Sequence, residues 1–359
     1  MGLTLSKTIR VLVVDDSKIA RRWIIEALSH DHEIEVVGVA SDPYEARDQI
    51  LALNPDVITL DLEMPRMDGL SFLKILNQHH PMPVVVVSAL TPRGSELALA
   101  ALAAGAVDVI AKANGTKSIR QVAKHLAQQV KAAAQSRLGS RATQTPASAP
   151  VPAPALRESR VHSVVVEAIV IGASTGGVEA LRHILPRLPE GLPPIVIVQH
   201  IPAGFSRGMA NNLNKLCAFP VHEAEDQEEL TSNLCLIAPG GYHLTLTGVA
   251  RDRRVRLSQS PPVHHCRPAV DVLFRSAAET LGKKAVGALL TGMGVDGARG
   301  LSAMRARGAR TLAQDEESSV VFGMPKAAIS MGAAELVVAL SDMPRALVRA
   351  ATTKKLAEV

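Results

Sequence analysis

Three side chains able to perform acyl transfer stand at the ends of apolar runs in the second half of this chain. They are Ser174 in AIVIGASTGGVEAL, His200 after IVIVQ, and Asp296 in TGMGVDGARG. A serine hydroxyl attacks poorly until a base takes its proton. A histidine with a pKa near 6.5 can be that base at neutral pH, and a carboxylate can orient the imidazole and stabilise its cation. Ser174 is therefore the candidate nucleophile, His200 the base and Asp296 its orienting partner. Gly172 to Gly176 fits G-x-S-x-G, in which small neighbours permit a sharp strand-to-helix turn that exposes the hydroxyl. Backbone amides at Thr175 and Gly176, opening the next helix, would favour an oxyanion. No lysine follows at the spacing of a phosphate-binding loop.

The first half carries a different set: Asp15 and Asp16, Asp61, Ser88 and Lys112, again at the ends of apolar runs. Carboxylates gathered that closely repel unless a divalent cation neutralises them, and a few carboxylate oxygens completed by water suit Mg²⁺. The amine and hydroxyl would then face a phosphoryl group, with Asp61 at the centre as its covalent acceptor.

These residues need a scaffold that brings strand ends together. From Ile9 to about Val130, apolar runs at 10–14, 35–40, 56–60, 83–87 and 107–111 alternate with helix-like segments, giving five β-α units. Ile119, Val122, Ala123, Leu126 and Val130 recur at helical spacing and predict a last helix with one docked face. A parallel sheet covered on both faces follows, with functional groups at the carboxyl ends of its strands. Residues 131–163 then turn to Ala, Pro, Ser, Thr, Gln and Arg without apolar period, as in SRATQTPASAPVPAPALRESR, and read as a semi-stiff tether. A second α/β unit spans 164–352. It opens with a strand at 164–171, continues with strands at 195–199 and 285–290, and includes an alternating pair at 242–246 and 255–258 around GVARDR. That pair predicts a hairpin, so the second sheet is expected to be mostly parallel with an antiparallel element, hence mixed. The fold class is α/β, in two domains: a (βα)5 flavodoxin-like unit at 8–130 and a doubly wound hydrolytic unit.

Composition narrows the function classes. The 359 residues are 47% hydrophobic and 20% charged, enough for two real cores, and aromatics make up only 2%. A formal charge of +5 with one Trp and two Tyr offers no stacking platform, so nucleic-acid binding is not indicated. Cys217, Cys235 and Cys266 lack CxxC spacing, which points to free thiols in a reducing compartment, the cytoplasm. No apolar run reaches spanning length, so no membrane insertion is expected.

Residues 9–130, with DLEMPRMDG at 61–69, resemble the receiver domain of two-component response regulators. The resemblance implies that Asp15, Asp16 and Asp61 bind Mg²⁺, that Asp61 is phosphorylated, and that Ser88 and Lys112 serve as switch hydroxyl and phosphoryl contact. Two positions depart from that family. Ala113 replaces the usual proline after the lysine, and Val109 replaces the usual aromatic of the last strand. The serine-histidine-aspartate order departs from the α/β-hydrolases despite the shared turn. Instead IGASTGG, QHIPAGF, APGGYHL, RPAVDVLF, LTGMGVDGARG and AQDEESSVVFGMP resemble the chemotaxis protein-glutamate methylesterase and glutamine deamidase family. That family implies methyl-accepting chemotaxis receptors as substrate, a chemotaxis histidine kinase as phosphodonor, and no cofactor at the hydrolytic site. It implies the amide of Met293 as a further oxyanion donor, a bond from Thr175 to His200, and a receiver that covers the cleft until phosphorylated. Arg267 is a candidate either for holding substrate or for a structural ion pair. Two other readings use the same residues: a phosphorylation-dependent receptor-binding regulator without catalysis, and an esterase for another modified protein.

Overall fold

The computed structural model describes residues 8–89, 91–112, 119–136, 165–249 and 252–352. Ala113, nearly all of the tether and the tip of the predicted hairpin lie outside the described residues.

The first unit alternates β1 (Ile9–Val14), α1 (Lys18–Ser29), β2 (Ile34–Ala40), α2 (Pro43–Leu53), β3 (Val57–Leu60), α3 (Gly69–His79), β4 (Val84–Ser88), α4 (Pro92–Ala103), β5 (Asp108–Ala111) and α5 (Ile119–Ala134). Its sheet is parallel, in the order β2-β1-β3-β4-β5. The fully buried VVVVS of β4 shows why such strands read as continuous apolar runs rather than alternations. Helix starts follow local capping chemistry. Ser17, Asp42, Asp68 and Thr91 each accept from amides in the first turn of the helix that follows, and proline opens α2 and α4. Helix α5 runs to Ala134, beyond the apolar spacing that ends at Val130.

The second unit comprises β6 (Ala168–Ala173), α6 (Gly177–Ile184), β7 (Ile195–Gln199), α7 (Ser206–Asn214), β8 (Val221–Glu223) and β9 (Cys235–Ile237). These are followed by β10 (His243–Val249), β11 (Asp252–Ser258), α8 (Val270–Thr280), β12 (Ala285–Leu289), α9 (Ala298–Ala306), β13 (Arg310–Gln314), α10 (Met324–Ser330), β14 (Leu336–Val338) and α11 (Met343–Thr352). The main sheet runs β14-β13-β12-β6-β7-β9-β8 and is parallel throughout. The hairpin forms as expected but does not join that sheet. Strands β10 and β11 pair with each other as a ribbon apart from the main sheet, and β11 also bridges to the 227–230 segment, where the Leu230 amide donates to the Arg253 carbonyl at 2.8 Å and the Val255 amide to the Glu228 carbonyl at 2.9 Å. The ribbon is fastened to α8 as well: the Leu246 amide donates to Ser276 Oγ at 3.0 Å, and Thr280 Oγ1 donates to the Leu246 carbonyl at 3.1 Å.

The two units are packed together. One apolar cluster continues from Leu99, Leu102 and Val109 of the first unit into Phe205 and Met209 of the second. Helix α4 meets α7 so closely that a Cβ on Gly208 would stand 2.8 Å from Leu99 Cδ1.

Candidate functional sites

The central strands β6, β7 and β12 deliver Ser174, His200 and Asp296 to one edge of the sheet. Ser174 is fixed before its hydroxyl is considered. Its amide donates to the Thr291 carbonyl at 3.0 Å, and its carbonyl accepts from Gly177 N at 2.7 Å and from Gln199 Nε2 at 2.8 Å. Thr291 Oγ1 in turn donates to the Thr175 carbonyl at 2.9 Å and accepts from Val321 N at 3.0 Å. Gly292 is required by close approach, since a Cβ there would lie 2.6 Å from Ser174 Cβ and 2.4 Å from Met324 Sδ. Gly176 is required by its φ of +77°, which side chains disfavour, and by Val320 pressed against it.

Ser174 Oγ lies 3.1 Å from His200 Nδ1, and His200 Nε2 lies 2.7 Å from Asp296 Oδ2. All three sites are largely dry: Ser174 and Asp296 are buried, and the His200 side chain is 10% exposed. Asp296 also accepts from Val270 N at 2.7 Å and Asp271 N at 2.9 Å, where α8 begins. Burial would raise its pKa, but the bond from His200, the His200 charge and these two amides outweigh it and hold the carboxyl below its ordinary value. For His200, burial disfavours the imidazolium, yet the sulfur of Cys266 and the Asp296 carboxylate prevail and raise the pKa well above the usual value.

The amides of Thr175, Gly176 and Met293 make no hydrogen bond among the described residues, whereas those of Ser174, Gly177 and Gly292 are committed to carbonyls. Three expected donors therefore remain able to meet an oxyanion. Thr175 does not bond His200. Its hydroxyl turns toward the other domain, where Asp108 Oδ2 and Gln129 Oε1 each lie 2.8 Å away. Arg267 reaches the carbonyls of Gln259 at 2.7 Å and Ser260 at 3.0 Å, and so braces the loop before α8. Cys266 was not anticipated at the site. Its Sγ stands 3.6 Å from His200 Nδ1, the same nitrogen that faces Ser174. No local pattern marks it, because the contact depends on a loop fold in which His264 and His265 both take positive φ. That loop is pinned by the pair of His264 Nε2 with Asp271 Oδ2 at 3.0 Å.

In the first unit, Asp15, Asp16 and Asp61 offer oxygens that all lie within 4.8 Å of one another. Lys112 Nζ stands 2.9 Å from Asp15 Oδ2 and 2.8 Å from Asp61 Oδ2. Burial, opposed by Lys112 and reinforced by Asp61, raises the pKa of Asp15. Burial would lower that of Lys112, but the two carboxylates outweigh it and raise it. Ser88 is buried at the end of β4, and its hydroxyl donates to the Gly94 carbonyl in α4 at 3.2 Å. A cluster of three carboxylates answered by one lysine fits a divalent cation by charge and by donor type.

The fold and these two sites define a class: a receiver-type α/β domain joined to a second α/β domain that gathers a serine, a histidine and an aspartate at one edge of its parallel sheet. The response regulator receiver domain model matches residues 11–124, and the CheB methylesterase model matches residues 169–347. The protein-glutamate methylesterase/protein-glutamine glutaminase 2 of Syntrophus aciditrophicus is 47% identical over 341 residues, covering 95% of this chain and 98% of its own. The corresponding protein of Chromohalobacter salexigens is 48% identical over 350 residues, covering 96% and 97%. The crystal structure of the Thermotoga maritima CheB methylesterase catalytic domain superposes with a TM-score of 0.51 at 40% identity, over 52% of this chain and 99% of that one. The chain belongs to the protein-glutamate methylesterase/protein-glutamine glutaminase family.

Proposed function

We propose that this chain removes methyl groups from glutamate γ-methyl esters on methyl-accepting chemotaxis receptors, and deamidates receptor glutamines, under control of receiver phosphorylation. The observation that carries the reading is the run of contacts Ser174 Oγ to His200 Nδ1 to Asp296 Oδ2 at the buried edge of the parallel sheet. Ser174 Oγ attacks the ester carbonyl carbon as its proton passes to His200 Nδ1. The resulting oxyanion is met by the amides of Met293, Thr175 and Gly176. The bond to methoxide then breaks, His200 returns the proton to it, and methanol leaves. Water attacks the acyl-serine with His200 again taking the proton, which releases glutamate and restores the hydroxyl. A carboxamide gives ammonia by the same steps. Asp296 keeps the imidazole aligned throughout.

In the receiver, Asp61 is the phosphoacceptor and a chemotaxis histidine kinase the donor. Asp15, Asp16 and Asp61 would hold Mg²⁺, which supplies charge neutralisation for phosphoryl transfer. Lys112 sits ready to pair with the phosphoryl oxygens, and Ser88 exchanges its bond to Gly94 for one to them. The receiver, expected at 8–130 but with its last helix running to Ala134, the tether that follows it and the esterase (164–352) act as units coupled at their interface. Among the described residues no helix is long and apolar enough to cross a membrane. The reading places the protein in the cytoplasm, where receptor helices and kinase are accessible.

The test is the initial rate of methanol release from methylated receptor membranes, with and without acetyl phosphate and Mg²⁺. Wild type should release methanol faster with the phosphodonor, Ser174→Ala should release none, and Asp61→Asn should stay slow and unresponsive. Absence of release from wild type under both conditions would remove the methylesterase assignment for that receptor.

A further inference from the structure

The hydroxyl of Thr175, next in sequence to the nucleophile, is held by a side chain of the other domain. Gln129 of α5 brings its carboxamide oxygen to 2.8 Å from Thr175 Oγ1, with Gln129 7% and Thr175 1% exposed. One turn earlier on the same helix face stands His125, which burial, aided by the nearby His200, pushes down to a pKa of about 4. His125, Gln129 and Asp108 share with His200 and Cys266 the wall of a cavity of only about 150 Å³ between the domains. A receptor helix cannot enter that space while α5 occupies it.

Gln129 differs from other groups that could block a cleft. A glutamine side chain and a glutamate methyl ester both present a carbonyl two methylenes beyond Cα, and both reach this enzyme on protein. Helix α5 therefore offers the catalytic edge the functional group that a deamidase accepts. We propose that Gln129 is a built-in substrate mimic. In the closed molecule its carboxamide takes the place of the receptor side chain on the Thr175 hydroxyl, and Thr175 Oγ is the group that positions the substrate carbonyl once the receiver withdraws. The carboxamide rests on that hydroxyl rather than on the free amides of Met293 and Gly176, so it fills the cleft without being set up for attack. This inference rests on the methylesterase and deamidase reading above and adds the means by which the receiver recognises the site.

The experiment compares full-length wild type, Gln129→Leu, Thr175→Val and the double variant, all unphosphorylated. Leucine keeps the bulk of glutamine but removes the carbonyl. An internal competitor raises apparent KM and leaves kcat alone. Gln129→Leu should thus lower the apparent KM for methylated receptor membranes by at least about fivefold at unchanged kcat. In the Thr175→Val background the same change should have no further effect. An unchanged KM in Gln129→Leu, or a lowered KM that persists in full in the Thr175→Val background, would overturn the proposal. A second readout needs no receptor: the rate at which phenylmethylsulfonyl fluoride sulfonylates Ser174, followed by mass. Faster labelling of Gln129→Leu than of wild type supports the mimic even where no methanol is released, which would be a failure of the substrate reading alone. Equal labelling rates would overturn it whatever the esterase assay shows.

Discussion

At the residue scale, the imidazole of His200 is turned so that Nδ1 serves the nucleophile and Nε2 the carboxylate. This reverses the assignment of the two ring nitrogens in the chymotrypsin-type triad, where Nε2 serves the serine. The chemistry survives the reversal, since either nitrogen can accept a proton while the other stays bonded to the acid. Asp296→Asn should lower kcat by about 10³ to 10⁴, because an amide cannot stabilise the imidazolium, and should also cost about 1–3 kcal/mol of stability, because one of the two α8 amides loses its acceptor. Single-turnover kinetics would show the loss in acylation. The second consequence concerns Cys266, which competes with Ser174 for Nδ1. A general base works in its neutral form. A pKa held above the ordinary value therefore leaves His200 protonated at pH values where a usual histidine would already be free. Activity should rise with pH along a limb centred above about 6.5. Removing the sulfur in Cys266→Ala should move that limb to lower pH and raise the rate at neutral pH. A kcat/KM profile for the two proteins would show this directly, and superimposable limbs would deny the sulfur any part in it.

At the scale of elements, the turn after β12 matters as much as the serine turn after β6. Gly292 lies in the first, and Ser174 Cβ occupies the space a side chain would need. Gly292→Ala should push Ser174 away from His200 and cost about 1–3 kcal/mol of stability. The expected result is a lower denaturant midpoint together with a loss of Ser174 sulfonylation larger than the fraction unfolded explains. The strands that carry the esterase site were legible because each is buried on both faces and runs at its carboxyl end into a residue or glycine-rich turn able to do chemistry. Ser174, His200 and Asp296 announce themselves by that position, as do Asp15, Asp61 and Lys112. Strands β8 and β9 are three residues each, too short for any period to declare them. The independence of the β10-β11 ribbon was hidden for another reason. Alternation predicts pairing but not where the pair is fastened, and here Ser276 and Thr280 of α8 on one strand and the 227–230 segment on the other decide it. Cys266 and the turn of Thr175 toward Asp108 depend on contacts between distant segments, for which local sequence carries no signal.

At the scale of the whole molecule, the domain interface contains a proton-counting problem. Thr175 Oγ1 has one hydrogen and two oxygen neighbours, Asp108 Oδ2 and Gln129 Oε1, both at 2.8 Å. One neighbour must contribute a hydrogen of its own. Burial pushes the Asp108 carboxyl up to about 6, against the lowering effects of Thr175, the Val109 amide and the His200 charge, so Asp108 is the group that takes a proton as the domains close. The sign follows from linkage. The docked state has the higher pKa, so between the ordinary carboxylate value and about 6 docking takes up a proton. Docking therefore weakens as pH rises through that window and is weakest, and constant, above it. Asp108→Asn supplies the hydrogen without a proton from solvent: its Nδ2 can donate to Thr175 Oγ1 while Oδ1 still accepts from Val109 N, as Asp108 Oδ1 does now at 2.7 Å. The unphosphorylated wild type should expand in small-angle X-ray scattering as pH passes from below to above about 6, and Asp108→Asn should stay compact on both sides. The same variant should show lower basal methanol release at neutral pH and a larger ratio of phosphorylated to basal rate, because it strengthens only the closed state. A wild-type radius of gyration that does not change across this window, with the variant indistinguishable from it, would mean that closing the receiver onto the esterase takes up no proton.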